Sequence, residues 1–323
     1  MRAVRVIKPS GPSGVSVEEV PEPSDAADQV LVDVHAVGIA FPDLLLSRGE
    51  YQLKPEPPFT LGVDFSGVVR SAPARSGHKA GDRVACVLPY GGAAETVAVD
   101  LDSVFGLPDR FSFAQAAAIP MNYLTAQFAL QHRAGLREGE TVLVHGAAGG
   151  LGTATLQVAN WLGARTIGVV SSDEKAAMAR RAGADEVVRV DDFLAAVRQV
   201  TDGRGVDVVV DVVGGDVFTD SLRALAPLGR LLVAGFAAGA IPQVKVNRLL
   251  LNNVDVRGVG WGAWLAGHPG FMREQWDALL PMMESGAVDP PIGATYPMAE
   301  FGRALQDMED RRTLGKSVVT VRE

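Results

Sequence analysis

A short apolar run, a glycine-rich turn and an apolar helix-like stretch follow one another at residues 141–163, TVLVHGAAGGLGTATLQVANWLG. The first four residues are typical of a buried strand, and the apolar residues after the turn recur at helical spacing. Ala147, Gly149 and Gly152 fill a G-x-G-x-x-G frame whose first position is alanine. Small residues let the backbone approach a pyrophosphate, and the helix start offers unpaired N–H groups and a positive dipole end. With a second apolar run at residues 165–170, the stretch predicts a dinucleotide-binding βαβ unit.

Strands and helices alternate through the rest of this half of the chain. The predicted strands are residues 142–144, 165–170, 185–190, 206–213, 230–234 and 254–259. Their near-continuous valine and leucine runs are typical of strands that are covered on both faces, which predicts a parallel, doubly wound sheet. The helix at residues 174–182 can be capped by Ser172 or Asp173 and is followed by Gly183, as helix ends prefer.

The remaining sequence predicts a second, β-rich domain. Its predicted strands are residues 3–7, 15–20, 29–37, 67–71, 83–88 and 95–99, separated by Pro, Gly and Ser clusters without helix-length connections, which favours antiparallel pairing. Residues 111–135 have helical periodicity and are divided by Pro120. Two helices, at 271–283 and 301–310, precede a strand at 316–321 that we expect to join the N-terminal sheet. The chain is therefore predicted as an α/β protein with a β-rich domain at 1–115 and 265–323 and a Rossmann domain at 116–264.

Composition excludes several kinds of partner. The chain has 30 basic and 38 acidic residues, a net charge of -8, and its basic residues are scattered, so nucleic acid or an anionic membrane surface is not expected to bind. No window approaches the roughly 18 uninterrupted apolar residues of a membrane span, and the N-terminus lacks the apolar core of a signal peptide. We expect a cytoplasmic protein. The single cysteine, Cys86, excludes an intrachain disulfide and a cysteine-cluster metal site.

Several motifs in a fixed order carry a resemblance to a known family. They are AGDRV at 80–84, HGAAGGLG at 145–152, DVVGG at 211–215, GRLLVAGF at 229–236 and TLGKSVV at 313–319. Together they resemble the medium-chain dehydrogenase/reductase superfamily, most closely its zinc-free, zeta-crystallin-like quinone oxidoreductase branch. The resemblance spans nearly the whole chain and implies that the β-rich domain is a GroES-like catalytic domain.

The zinc-dependent members of the superfamily offer the main alternative, which the residues argue against. Ala40 stands where those enzymes have a ligating cysteine, and Gly62, Val63 and Asp64 replace a Gly-His-Glu motif. The five histidines show no paired ligand spacing, whereas zinc needs three protein donors and an open position. We predict that no metal is bound. Without a Lewis acid the expected acceptor is already electron-poor, such as a quinone or an activated carbon–carbon double bond.

The end of the second Rossmann strand indicates NADPH as the cofactor. An NAD enzyme usually has Asp or Glu there, but here Ser171 and Ser172 follow the strand, and Lys175 comes next. Hydroxyls and an ammonium group suit a 2′-phosphate. In the alternative interpretation Ser172 is only a helix cap, and Lys175 is a solvated side chain balanced by its acidic neighbours.

The family resemblance adds further cofactor contacts. It implies that Arg311 reaches the 2′-phosphate, that the helix carrying Asn122 and Thr125 passes under the nicotinamide, and that the loops after the fourth and fifth strands flank it. Val190 departs from the tyrosine of some relatives, although Arg189 is adjacent. The predicted cofactor-binding residues are Asn122, Thr125, Gly146, Ala147, Gly149, Gly150, Leu151, Gly152, Ser171, Ser172, Lys175, Arg189, Val213, Gly214, Gly235, Phe236, Ala237, Arg311 and Lys316.

The candidate catalytic residues are Asp43, Tyr51 and Tyr123. Asp43 and Tyr51 lie in a segment that resembles the family's substrate-facing stretch, although Ala40 and Leu45 replace an asparagine and a tyrosine found in relatives. Asp43 could instead cap a helix, and Tyr51 could be a loop aromatic. A quinone that accepts hydride becomes an anion that solvent can protonate, whereas an enoyl substrate would benefit from a placed donor such as Tyr51 or Tyr123.

The sequence thus predicts an NADPH-dependent reductase of a quinone or other electron-poor acceptor. One alternative is an enoyl-thioester or enone reductase that acts on 2-alkenals or acryloyl-CoA-like substrates, and another is an NADPH-binding sensor or structural protein without turnover. The resemblance implies a homodimer that pairs the strand at 254–259 across a two-fold axis. Alternatively, Asp255 and Arg257 protect the exposed edge of a monomer.

Overall fold

The computed structural model describes residues 1–24 and 28–322. It divides into two compact units, one of Met1–Met121, Pro269–Asp277 and Ile292–Glu323, the other of Asn122–His268 and Ala278–Pro291. This division falls six residues later than the predicted start of the Rossmann domain, and it groups Ala278–Pro291 with that domain. The domain ranges predicted from the sequence stay a prediction.

The described residues form strands and helices in both halves of the chain. Up to residue 119 they are β1 (Arg2–Val6), β2 (Val15–Glu19), β3 (Gln29–Gly38), α1 (Phe41–Arg48), β4 (Phe59–Thr60), β5 (Asp64–Ser71), β6 (Arg83–Val87), β7 (Thr96–Asp100), β8 (Val104–Gly106) and α2 (Phe113–Ala116). The middle of the chain contains α3 (Pro120–Gln127), a π-helical segment (Phe128–Ala134), β9 (Thr141–His145), α4 (Gly150–Trp161), β10 (Arg165–Val170), α5 (Asp173–Arg181), β11 (Glu186–Arg189), α6 (Phe193–Val200), β12 (Val206–Asp211), α7 (Val217–Ala224), β13 (Leu225–Val233), α8 (Asn247–Asn252), β14 (Asp255–Gly258) and α9 (Trp261–Leu265). The C-terminal elements are α10 (Phe271–Ser285), β15 (Ile292–Pro297), α11 (Phe301–Glu309) and β16 (Lys316–Thr320).

The first unit is built on two sheets. A three-stranded sheet has the order β2-β1-β4, and a seven-stranded sheet runs β15-β16-β3-β5-β6-β8 with β7 also paired to β3. The long strand β3 organises the second sheet, since β5, β7 and β16 all pair with it antiparallel. The expectation that the C-terminal strand joins the N-terminal sheet is confirmed, with Val318 opposite Gly38.

The second unit contains the predicted doubly wound sheet. Its six strands are all parallel, in the order β11-β10-β9-β12-β13-β14, which is the strand order of a Rossmann fold. Valine, leucine and isoleucine side chains from the sheet pack with Phe193 and Phe218 of the flanking helices in a buried core. The α/β fold class is confirmed, and the carboxyl ends of these strands form the edge where such sheets bind ligands.

Two helices of the middle of the chain, α3 and α5, begin close to where the local sequence predicts. Ser172 is the N-cap of α5, with its hydroxyl accepting the Lys175 amide, and Gly183 follows the helix at a φ of 94°. Pro120 begins α3, separating it from α2. No helix in the described ranges is both long enough and apolar enough to span a bilayer.

Candidate functional site

The glycine-rich turn joins β9 to α4, and the first turn of α4 packs closely against it. Gly146 has a φ of 63°, a conformation that favours glycine. A Cβ placed on Gly152 would lie 2.2 Å from the Gly146 carbonyl oxygen, so the first turn of α4 packs directly on the loop. Gly149 is the N-cap of this 12-residue helix, whose first N–H groups have no acceptor within the helix. The turn therefore fits the pyrophosphate of a dinucleotide.

Helix α3 contacts the start of α4. A Cβ on Gly150 would lie 2.7 Å from Asn122 Nδ2, and Asn122 itself is buried. Thr125, one turn further along α3, and Leu151 of α4 are both partly buried. The predicted residues of α3 and of the glycine turn are thus brought together within this unit.

A second polar cluster lies at the ends of β10 and β11, where Val170 pairs with Arg189. Lys175 Nζ donates to Ser171 Oγ at 3.2 Å. Arg189 donates to the Ser171 carbonyl oxygen at 2.6 Å and to Asp173 at 3.1 Å. Two cationic side chains and one hydroxyl therefore meet at the position that faces the adenosine ribose in Rossmann folds. The fully exposed Asp173 offsets part of this positive charge.

The loops after β12 and β13 are fastened to one another. The Ala237 amide donates to the Val212 carbonyl at 3.1 Å, and the Ala238 amide to the Val213 carbonyl at 2.9 Å. Gly214 is buried at a φ of 67°, and Gly235 and Phe236 are partly buried. The predicted nicotinamide loops thus form one hydrogen-bonded surface at the carboxyl edge of the sheet.

Asp211 binds the backbone of the loop after β12 through hydrogen bonds. It was not among the predicted site residues. Its Oδ1 accepts the amides of Val213 at 2.8 Å and Gly214 at 2.9 Å, while its Oδ2 is buried without a hydrogen-bond partner. An aspartate at the end of a strand, three residues before a glycine, is the local signal that could have indicated it.

The environment of Asp43 matches the alternative interpretation, in which this residue caps a helix. The carboxylate is completely buried in the first unit, with Oδ2 accepting the Ala40 amide and Oδ1 the Gly62 amide, each at 2.9 Å. Burial raises the pKa of Asp43 to about 7, and the two amides oppose this shift. Since both oxygens hold the backbone, the contacts argue for a structural role for Asp43 and against a catalytic one.

The two candidate tyrosines differ in exposure. Tyr123 is 1% exposed, and its hydroxyl donates to Gln157 Oε1 at 2.6 Å. The same Gln157 also binds the backbone of Asp289, so the Tyr123 hydroxyl belongs to an internal network, which argues against a role as proton donor. Tyr51 is partly exposed in the first unit, and burial raises its pKa.

The two C-terminal cationic residues predicted to bind the cofactor differ in exposure. Arg311 is exposed, at a φ of 58° just after α11. Lys316 is 4% exposed, with Nζ 2.7 Å from Oδ2 of the fully buried Asp64. Because this ammonium group is already paired, the structure argues against direct cofactor contact by Lys316.

Potential metal ligands form no cluster in the described part of the chain. Within residues 1–24 and 28–322, no group of three or more His, Cys, Asp or Glu side chains could hold a metal ion. Ala40 and Asp64, at the positions of the zinc-ligand motifs, are both buried.

Comparisons with known proteins identify the family. Residues 26–124 match the alcohol dehydrogenase GroES-like domain, and residues 150–285 match the zinc-binding dehydrogenase family. Quinone oxidoreductase-like protein 2 of Bos taurus is 38% identical over 95% of this chain and 89% of its own length. A probable oxidoreductase of Mycobacterium abscessus has 44% identity and a TM-score of 0.91, covering 99% of this chain and 98% of that one.

A solved complex extends the comparison to a bound cofactor. Escherichia coli quinone oxidoreductase complexed with NADPH has 29% identity and a TM-score of 0.90, covering 99% of this chain and 100% of that one. The strand order, the glycine turn and these similarities together show that the chain is an oxidoreductase of the medium-chain dehydrogenase/reductase superfamily, related to the quinone oxidoreductases.

Proposed function

We propose that this chain is an NADPH-dependent reductase that transfers hydride to a quinone or another electron-poor acceptor. The cluster of Ser171, Lys175 and Arg189 at the carboxyl edge of the Rossmann sheet carries the proposal. It offers two cations and a hydroxyl where NAD enzymes place a carboxylate. The NADPH complex of the E. coli relative supports the same cofactor.

The residues of the second unit fit each part of NADPH. The amides at the start of α4 would bind the pyrophosphate, and the polar cluster would bind the 2′-phosphate. Asn122 and the paired loops at Val213 and Phe236 would enclose the nicotinamide. Bound NADPH supplies the hydride and its electron pair. The protein therefore needs only to bind the cofactor and the acceptor, to orient them and to exclude water.

Catalysis would then depend mainly on positioning. Holding an acceptor against a fixed donor can contribute about 7 to 11 kcal/mol in favourable cases. With Asp43 and Tyr123 engaged internally, Tyr51 is the remaining candidate for a side-chain proton donor. A quinone needs no such donor, because solvent can protonate the reduced anion.

We further propose that the reaction is zinc-independent. Alanine, valine and aspartate stand at the expected ligand positions Ala40, Val63 and Asp64, and neither an alanine nor a valine side chain can ligate zinc. The acceptor must therefore be reactive without a Lewis acid. The cytoplasm stays the predicted location.

A homodimer is part of the proposal. Strand β14 ends the six-stranded sheet, and an open strand edge invites pairing with another chain. Five large apolar side chains of the second unit are 73–77% exposed, namely Leu228, Ile241, Val246, Leu250 and Leu251. A second copy that paired β14 across a two-fold axis would cover this edge.

Stopped-flow oxidation of enzyme-bound NADPH tests the function. Quinones, enones and enoyl-CoA esters would be mixed in turn with the preformed complex, and the loss of reduced-nicotinamide absorbance followed. We expect quinones to react fastest. Faster reaction with enoyl thioesters, together with a large loss in Tyr51→Phe, would favour the enoyl reductase, and no oxidation by any acceptor would favour a binding protein without turnover.

A further inference from the structure

Asp211 occupies a central position at the carboxyl edge of the Rossmann sheet. It is the last residue of β12, which lies between β9 and β13 in the sheet, and it is 1% exposed. The glycine-rich turn follows β9, and the loop that contains Phe236 follows β13. A carboxylate is therefore buried where the chain leaves three neighbouring strands, at the edge where such sheets bind ligands.

This carboxylate holds the first residues of the loop after β12. Asp211 Oδ1 accepts the amide of Val213 at 2.8 Å and the amide of Gly214 at 2.9 Å. Gly214 and Gly215 have φ angles of 67° and 65°, and glycine loses more conformational freedom than other residues when it is fixed. Because a charged acceptor strengthens both hydrogen bonds, the Asp211 side chain supplies a restraint that the two glycines themselves lack.

The loop after β13 is bound to the loop after β12. The Ala237 amide donates to the Val212 carbonyl at 3.1 Å. The Ala238 amide donates to the Val213 carbonyl at 2.9 Å. Since Asp211 binds the amide of the same Val213, a shift of the loop after β12 would displace both loops together.

The surroundings of Asp211 do not fully compensate its buried carboxylate. Oδ2 is buried and has no hydrogen-bond partner among the described residues, and a buried polar atom without a partner costs stability. His145 is its neighbour on β9, one residue beyond the pairing of Val210 with Val144. Burial lowers the pKa of His145 to about 4, although Asp211 opposes this shift, so the imidazole is neutral at pH 7. The contribution of Asp211 therefore comes from the two amides that Oδ1 binds.

The phosphate-binding parts of the proposed site have contacts of their own. In the glycine-rich turn, the Gly149 amide donates to the Gly146 carbonyl at 3.0 Å, and the Ala147 amide donates to the Val169 carbonyl at 3.3 Å. The polar cluster proposed to bind the 2′-phosphate is built at the ends of β10 and β11. None of these contacts involves Asp211, so we expect its loss to act on the nicotinamide half of the cofactor alone.

We propose that Asp211 is a positioning residue for the nicotinamide half of NADPH. Its Oδ1 fixes the loop after β12, and that loop fixes the loop after β13, so that both are held in the conformation that would enclose the nicotinamide. Asp211 acts through these backbone segments without touching the cofactor. This inference rests on the proposed NADPH dependence.

The variant Asp211→Leu tests it, because leucine resembles aspartate in shape but cannot accept a hydrogen bond. NADPH and 2′-phospho-ADP-ribose, which lacks the nicotinamide, would be titrated calorimetrically in the absence of any acceptor. We expect Asp211→Leu to bind NADPH about tenfold more weakly, through the loss of hydrogen bonds to a charged group. Its affinity for 2′-phospho-ADP-ribose should stay within about twofold of the wild type. Asp211→Ala, measured in parallel, should show the same selectivity if the leucine variant does not fold.

Two further variants complete the comparison. Asp211→Asn keeps an acceptor oxygen for the two amides and should retain most of the NADPH affinity. Thr201→Val is the matched control, because Thr201 Oγ1 accepts the Gly205 amide at 3.0 Å in the loop before β12, at the opposite end of the same strand. Valine keeps the shape of threonine but removes this acceptor, and both affinities should stay within about twofold of the wild type.

The outcomes separate the inference from the proposed function. Unchanged NADPH affinity in a folded Asp211→Leu would overturn the positioning role. Equal losses for NADPH and 2′-phospho-ADP-ribose would also overturn it, since the effect would then be general loosening of the unit, and so would an Asp211→Asn as weak as Asp211→Leu. A wild-type protein that does not bind NADPH would reject the proposed function and this inference with it. If the wild type binds NADPH but reduces no acceptor, the proposed reaction fails, and the binding comparison still decides the role of Asp211.

Discussion

Replacing Lys175 with alanine should weaken NADPH binding selectively. Its ammonium group is held 3.2 Å from Ser171 Oγ, at the strand end where a 2′-phosphate would lie. A hydrogen bond to a charged group contributes about 1.5 to 3 kcal/mol, which corresponds to about 10- to 150-fold in Kd. Because Lys175 is partly exposed, salt screens the interaction, and we expect the lower part of that range at physiological ionic strength.

Fluorescence titrations of the wild type and Lys175→Ala with NADPH and NADH measure this effect. NADH lacks the 2′-phosphate, so its Kd should be unchanged. Arg180→Ala is the matched control, since Arg180 lies in the last turn of the same helix and its loss should change neither Kd. Equal losses of affinity for NADPH and NADH would refute the assignment, as would an equal effect of the control.

Three further predictions concern metal, assembly and pH. Prolonged dialysis against a strong chelator should leave turnover and melting temperature unchanged, and stoichiometric zinc in elemental analysis would contradict this. Light scattering should show a dimer at micromolar concentration that Val256→Pro shifts towards monomer, because proline removes a backbone N–H donor from the edge strand β14. A monomeric wild type would reject the dimer. Burial lowers the pKa of His145 to about 4, against about 6.5 in an unfolded chain, so only the unfolded state gains this proton between those pH values. The free energy of unfolding should therefore fall as pH drops through that window, by up to about 1.4 kcal/mol per pH unit, and His145→Gln should flatten the slope measured by chemical denaturation; identical slopes would exclude His145 as the cause.

The strands β9, β10 and β12 of the Rossmann sheet could be predicted because each is buried along most of its length and rich in valine, leucine and isoleucine. The weaker elements could not. Strand β4 has only two residues, and the start of β13 contains Pro227 and Gly229, which normally argue against a strand. Strand β15 pairs with β16, and its exposure alternates along the strand, but Gly293 and Pro297 are residues that normally argue against a strand.

The candidate site shows the same division between local and long-range signals. The glycine turn, the Ser172 cap and the Lys175 position are all local features, and their structure follows from neighbouring residues. The pairing of Asp64 with Lys316 joins residues 252 positions apart, and no local pattern specifies it. Burying an unpaired charge is costly, so a lysine at the start of an apolar strand is expected to have a carboxylate partner. The sequence does not show which carboxylate that partner is.

Direct hydride transfer is the central claim, and the isotope effect on a single turnover tests it most directly. The enzyme would be loaded with NADPH or with NADPH deuterated at the transferring C4 position and then mixed with excess quinone. We predict that bound NADPH is oxidised at a rate that saturates with quinone concentration and is slower for the deuterated cofactor. Oxidation at equal rates for the two cofactors, or no oxidation by any quinone, would contradict the account.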